Sequence, residues 1–517
     1  MSDNKNLPLS FAMKFNTQDA ESGEELQSQR DNPFCIALMG GVSARHGDTE
    51  KTPMGDREFI EIDRYNYDDI LASKNLRLSL SLDQGNDVTI DVPLNSLKDF
   101  HPDKLYKNVT AFDQLRDLRE RLNNPATFKQ AMQEIGLKED EVFAQQTSVQ
   151  SEKMQPESNT ELSQESTTGS LLDTILGGGE VTASHRAEAE RATVQESKTL
   201  VDGFIQQLVA NKSKTLTRYA RQNDMVATID ESISFQMRSL IHHPKFQALE
   251  AAWRALHFLV KRIPVNKKVK LYLIDINRSD LASDLNVDDV TQSHLYKKFC
   301  DNSAGDINWN LIIADYQFGA DIDDILELSQ MGVIAHQAGA QFIAGANESL
   351  VGCRSFAETP KVDHWQLEDS QTVIEAWTLL RKSQVALSIS LALPRFILRA
   401  PYGKKSTPVK SFAFEEMSQS PEHEAYLWGN SAFLKAEQIS RAFIQSGWNL
   451  QYNKVMDTED LPVHYYEKAG QTIVKPCAEI PLTDTGASKM IAQGLIPLWS
   501  VKNSDRVHSG DFHSIGL

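Results

Sequence analysis

Residues 310–346, NLIIADYQFGADIDDILELSQMGVIAHQAGAQFIAGA, decide the fold. The apolar run NLIIADY is followed by the helical DIDDILELSQMGVIAHQAGA and a second apolar run, QFIAGA. Strand, helix and strand in that order are the pattern of a parallel βαβ crossover, so the chain reads as α/β. Upstream, Phe246, Leu249, Trp253, Leu256 and Val260 step by three and four residues, and Pro244 suits the first turn of that helix. KVKLYLIDIN between them alternates as a strand, with Lys267, Lys268 and Lys270 on its wet side. Downstream, ALSISLALPRFILRAPYG is apolar extended chain punctuated by Pro394 and Pro401; a helix from about Asn430 to Ile444 and a set of short strands follow.

The N-terminal third reads as a smaller α/β unit. FCIALMGG is an apolar strand, DRYNYDDILA is helical, and LRLSLSL and DVTIDVPL form a hairpin around DQGN. A helix from Thr110 to Leu122 places Phe112, Leu115, Leu118 and Leu122 on one side. Ahead of this unit, Leu7, Leu9, Phe11, Met13 and Phe15 alternate with polar residues, giving a strand whose one face is apolar and which needs a partner sheet. Between about Gln145 and Ser170 the composition turns to Ser, Thr, Gln and Glu, as expected of a linker. After it, Leu171, Leu172, Ile175 and Leu176 form an apolar stripe on two helical turns ended by Gly177. Such a helix is too short to be stable alone, and it docks either on its own domain or in a partner's groove. The expected division is 1–142, then a linker over 143–190 with a short helix at 170–177, then 191–517.

Composition bounds the function. The chain has 517 residues, 40% hydrophobic and 24% charged, an ordinary globular balance for two or three domains. A net charge of −18 means that attraction to nucleic acid or an anionic membrane requires a local basic patch, and the sequence reveals none. Cys35, Cys300, Cys353 and Cys477 lack zinc-ligand spacing and fit a reducing compartment. There is no signal-peptide pattern and no apolar run long enough to span a bilayer, which points to the cytoplasm.

Chemistry has little support. Gly40, Gly41 and Gly47 follow a strand, but no phosphate-binding glycine motif is present. Asp315, Asp321, Asp323 and Asp324 crowd a strand end and a helix start, where ligands often sit; helix capping is the simpler account. The alternative is an acidic α/β metal-dependent enzyme using the Asp315–Asp324 region. His242 and His243 suit a cap or core role. No catalytic signature occurs, so neither catalytic, cofactor-binding nor metal residues are assigned.

Longer phrases carry a resemblance. HHPKFQALEAAWRALHFLV (242–260), LPRFILRAPYG, PVKSFAFEE, YLWGNSAF, DLPVHYYE and GLIPLWSVKNSD resemble the large sheath subunit of type VI secretion systems, TssC or VipB. NPFCIALMGGVSAR, DREFIEIDRYNYDDILA and LKDFHPDKLYKNVTAFDQLRDLRERL resemble the small subunit, TssB or VipA. The chain is thus similar to a fusion, small subunit first, of proteins that usually occur as separate chains. The resemblance implies a structural, non-enzymatic brick of a contractile helical tube with a strand-exchange (handshake) sheet between copies. It further implies an inner tube of hexameric Hcp rings, a baseplate at the membrane, and ClpV, an AAA+ ATPase, docking on the helix at Leu171–Leu176. No cofactor, nucleic acid or membrane insertion is implied.

Overall fold

The computed structural model describes residues 32–43, 52–81, 89–134, 218–265, 268–301, 307–359, 361–366, 371–418, 421–450, 457–468 and 470–517. The strand expected at Leu7–Phe15, the linker and the helix expected at Leu171–Leu176 lie outside them.

In chain order the first part contributes β1 (Phe34–Gly40), β2 (Ile60–Ile62), α1 (Tyr67–Ser73), β3 (Leu76–Ser81), β4 (Thr89–Leu94), α2 (Pro102–Asn108), α3 (Asp113–Asn123) and α4 (Phe128–Glu134). Next come α5 (Arg218–Ile241), α6 (Pro244–Arg262), β5 (Val269–Asp275), α7 (Arg278–Leu285), α8 (His294–Cys300), β6 (Trp309–Phe318), α9 (Ile322–Gln337) and β7 (Gln341–Ala346). The last third holds α10 (Gln371–Lys382), β8 (Ile389–Leu393), β9 (Phe396–Ile397), β10 (Trp428–Gly429) and α11 (Ser431–Ser446). It ends with β11 (Asp457–Thr458), β12 (His464–Lys468), β13 (Gln471–Lys475), α12 (Asp484–Ala492), β14 (Leu495–Ser500) and β15 (Val507–Ser509).

A nine-stranded sheet organises these elements in the order β11-β15-β14-β8-β7-β6-β1-β5-β2. From β14 to β5 every neighbour is parallel, and the outer strands β2, β15 and β11 are antiparallel. The βαβ expected at 310–346 is there as β6, α9 and β7. β1 sits between β5 and β6, in register from Phe34 with Val269 to Gly40 with Asp275. The N-terminal unit therefore shares one sheet with the rest of the chain. The run FCIALMG is apolar throughout because both of its faces are covered by helices, as the interior of a parallel sheet requires.

Alternate side chains of the central strands feed two cores. Ile36, Leu38, Leu271, Leu273, Leu311 and Ile313 face the layer of α1 to α6 and α11. Ala37, Met39, Ile274, Ile312, Ala314 and Phe342 face the layer of α7 to α10 and α12. Each fully buried Leu or Ile contributes roughly 1.5–3 kcal/mol. KVKLYLIDIN has no fully wet face: Lys270 is half-buried beside Glu61 of β2, at 3.3 Å. Trp253 of α6 ties the parts further, its indole N–H donating to the Val42 carbonyl at 2.9 Å, while the Tyr67 hydroxyl donates to the Trp253 carbonyl at 2.7 Å.

Candidate assembly surface and its buried anchors

α6 starts where Pro244 takes the first position and the ring of His243 accepts the Lys245 N–H, so the capping role expected of these histidines falls to His243. Its inner face carries Glu250, which meets Arg399 just beyond β9. Arg399 Nε lies 2.8 Å from Glu250 Oε1, and its two terminal nitrogens lie 2.7 and 3.0 Å from the Glu416 carboxylate. All three side chains are buried. Burial alone would raise the Glu416 carboxyl, but the Arg399 charge and the surrounding donors, among them the Tyr402 N–H at 2.6 Å, hold it down at about 2. Arg254 joins through Glu250 at 2.7 Å and the Tyr402 hydroxyl at 3.1 Å. Three of the phrases that carried the resemblance thus converge on one charge network. Sequence reading missed it, since Glu250 looks like any polar residue on an amphipathic helix.

A second anchor sits at the other end of β9. Arg395 binds Glu479, which also takes a 2.9 Å contact from His423; burial opposes the Glu479 charge, and these donors hold its carboxyl at about 2. His423, Glu424 and Glu479 form the group of metal-ligand type among the described residues. The Arg395 guanidinium already bonds both carboxylates, so the protein supplies its own cation there.

These anchors flank the hairpin β12–β13, which among the described residues pairs with no other strand. The Tyr426 hydroxyl meets His464 at 2.8 Å, and the Lys475 ammonium lies 5.2 and 5.1 Å from the Tyr426 and Trp428 rings. A groove of about 680 Å³ runs between β12 and the loop at 400–407. Edges decide where another chain can add. The nine-stranded sheet ends in strands of three and two residues, too short to template much, whereas the separate hairpins offer more, six residues in each of β3 and β4 and five in each of β12 and β13.

The aspartates near 315–324 have local tasks. Asp321 caps α9 by accepting the Asp324 N–H at 2.9 Å, while Asp324 accepts from Gly319 and pairs with Arg278. Asp315 packs against Gly40, where a Cβ would come within 3.1 Å, and burial pushes its carboxyl up to about 7. Val42 N–H and Ser43 N–H turn to Asp275 Oδ1 at 3.1 and 3.3 Å, so the exit after Gly40 and Gly41 is a tied turn. Among the described residues no helix is long and apolar enough to cross a membrane.

The fold brings two lysine-bearing stretches together. Lys98, Lys104 and Lys107, around α2, meet Lys404, Lys405 and Lys410 of a distant loop, and all six are exposed. The two stretches are far apart in the sequence, and neither is a basic run, which is why no patch was legible.

A family model described as "EvpB/VC_A0108, tail sheath N-terminal domain" matches residues 223–514, and one described as "Type VI secretion system, VipA, VC_A0107 or Hcp2" matches residues 12–151. The chain is similar to the type VI secretion system sheath protein TssC1 of Pseudomonas aeruginosa, with 28% identity over 353 residues, 64% of this chain and 71% of that protein. It is also similar to the sheath protein TssB1 of the same organism, with 26% identity over 101 residues, 19% of this chain. That match spans 58% of TssB1, less than two thirds of its length.

Proposed function

We propose, from the premise that this chain belongs to the VipB tail sheath family and carries a VipA-type domain ahead of it, that one polypeptide supplies the whole repeating unit of a contractile tube. It is a structural sheath subunit of the type VI secretion kind, a TssB/TssC fusion. The observation that carries the reading is the seat of β1: a strand of the TssB-like part completes the central sheet of the TssC-like part. Fusing the two fixes their ratio at one to one.

In this reading the tube wraps an inner tube of hexameric Hcp-type rings, grows from a baseplate in the cytoplasm, and propels the inner tube by contracting. The chain catalyses no reaction. We keep the division at 1–142, 143–190 and 191–517. The strand at Leu7, Leu9, Phe11, Met13 and Phe15 adds to a neighbour's open hairpin, where main-chain bonds give affinity and alternate side chains give register. The stripe Leu171, Leu172, Ile175 and Leu176 docks on an AAA+ unfoldase of the ClpV type that recycles contracted tubes. Growth without closure requires unlike patches to meet, which strand addition from one copy to the next provides.

Negative-stain microscopy of the purified chain tests the reading. Long tubes of uniform width are expected; isolated particles under every salt and crowding condition would overturn it.

A further inference from the structure

The lysine patch has an unusual setting. Lys98, Lys104, Lys107, Lys404, Lys405 and Lys410 are exposed on a chain whose net charge is −18. Packing beneath them fixes their proximity. The Asp103 carboxylate accepts the N–H groups of Lys410 at 3.0 Å and Ser411 at 2.8 Å, the His101 ring lies 4.9 Å from that of Tyr402, and Tyr106 lies 5.0 Å from Phe412. Among the described residues only Lys405 of the six has a carboxylate at salt-bridge distance, Glu467 at 2.8 Å. Glu415, which accepts the Lys404 N–H at 3.1 Å, and Asp103 also stand among them, so six lysines face three carboxylates and a net positive charge remains.

Exposed carboxylates of matching number belong to segments packed against the other face of the sheet. Asp56, Glu58, Asp288, Asp289, Asp321 and Asp323 are all exposed. The lysines sit over Phe100, Leu105, Tyr402 and Phe412, in the core on one face of the sheet. The carboxylates sit over Met54, Phe59, Val290 and Ile325, in the core on the other face. The two surfaces therefore cannot neutralise each other within one copy. A two-fold dimer through either would set like charge against like charge, which costs energy. They can meet only front to back between copies, and a front-to-back contact repeats as a ring or, where its rotation does not close, as an open helical filament.

We propose that the lysine patch docks on the acidic surface of a second copy and so sets the direction in which copies stack. This rests on the sheath reading and adds to it a contact separate from strand addition. The patch also rims the groove beside β12, since Lys404 and Lys405 line both. Electrostatic docking would thereby deliver a copy next to the open hairpin.

The test uses the full chain with two charge-reversed pairs, Lys104→Glu with Lys410→Glu, and Asp288→Lys with Asp323→Lys. None of these side chains caps a helix, and an unchanged melting temperature checks that each variant folds. At about 0.1 M salt either pair alone should cut the pelletable tube yield roughly tenfold, because screening is weak over the contact distance. The chain with all four substitutions should recover most of the yield, and about 0.5 M salt should reduce the unmodified chain's yield similarly. Normal yield from both single-surface variants would overturn the proposal and leave the sheath reading standing. Failure of the fourfold variant to recover would place the acidic partner elsewhere and overturn it as well. Binding to phosphatidylglycerol vesicles that Lys104→Glu with Lys410→Glu abolishes, with tube yield unchanged, would assign the patch to a lipid surface instead. No tubes from the unmodified chain would remove the sheath reading itself.

Discussion

Glu250 and Arg399, 149 positions apart in the chain, close a buried two-pronged salt bridge at 2.8 and 3.3 Å, with Glu416 gripping the same guanidinium from its other side. Arg399→Met would strand two buried carboxylates. A loss of roughly 3–5 kcal/mol is expected, read as a lower denaturation midpoint or as insoluble protein. Adding Glu250→Gln and Glu416→Gln should restore part of it; if the triple variant is no better than Arg399→Met alone, stranded charge is not the cause.

The ladder of β1 with β5 and β6, rather than the covalent connection, holds the TssB-like and TssC-like parts together. Contacts between the two parts add to it: Gln222 donates to the Leu122 carbonyl at 2.9 Å, and Arg119 pairs with Asp230. A chain cut once between residues 135 and 217 should co-elute as one particle and melt as before. Leu38→Ala should cost about 2–5 kcal/mol and speed amide exchange in β5 and β6 together.

Lys435 is fully buried in α11, its ammonium donating to Gln438 Oε1 at 3.2 Å, Ser509 Oγ at 2.8 Å and the Gly510 carbonyl at 3.0 Å. Burial lowers its pKa from 10.5 to about 7. Between those values the unfolded chain binds the extra proton, so stability should rise as pH climbs from about 7 toward 10.5. Lys435→Met should flatten that rise; a melting curve across this range with the slope intact would assign it to another group.

Deleting residues 1–15 should abolish long tubes while leaving the melting temperature within a degree or two, as expected of a strand that adds to a neighbouring copy rather than to its own. Normal tubes from the truncated chain would mean that strand addition is not what links copies.

A peptide of residues 168–182 should bind the N-terminal domain of a ClpV-type unfoldase, and Leu172→Asp with Ile175→Asp should weaken that binding at least tenfold by removing the apolar stripe. Equal binding by both peptides would dismiss the docking role.

How much of this was legible depended on range. β6, α9 and β7 were readable because period and breakers are local properties, and the hairpin of β3 and β4 likewise. β2 passed unseen, being three residues long. The seat of β1 was hidden for a different reason: an apolar run states that both faces are covered, not which strands flank it. Cys35 N–H reaches the Asn310 side chain across 275 positions, a separation no periodicity encodes. Glu250, Glu416 and Glu479 are buried only because arginines from one short segment, Arg395 and Arg399, come to meet them.

That seat also sets a timetable for synthesis. β1 leaves the ribosome early, yet its flanking strands are not complete until Phe318 has been made. At roughly 5–20 residues per second, the sheet cannot close for about 15–60 s after translation begins. Throughout that wait FCIALMG is an apolar segment without its neighbours, prone to pair with other nascent chains. The cell that makes this protein has to shield it for that interval, so a chaperone acting on the emerging chain should matter more for its yield than for that of an ordinary protein of equal length.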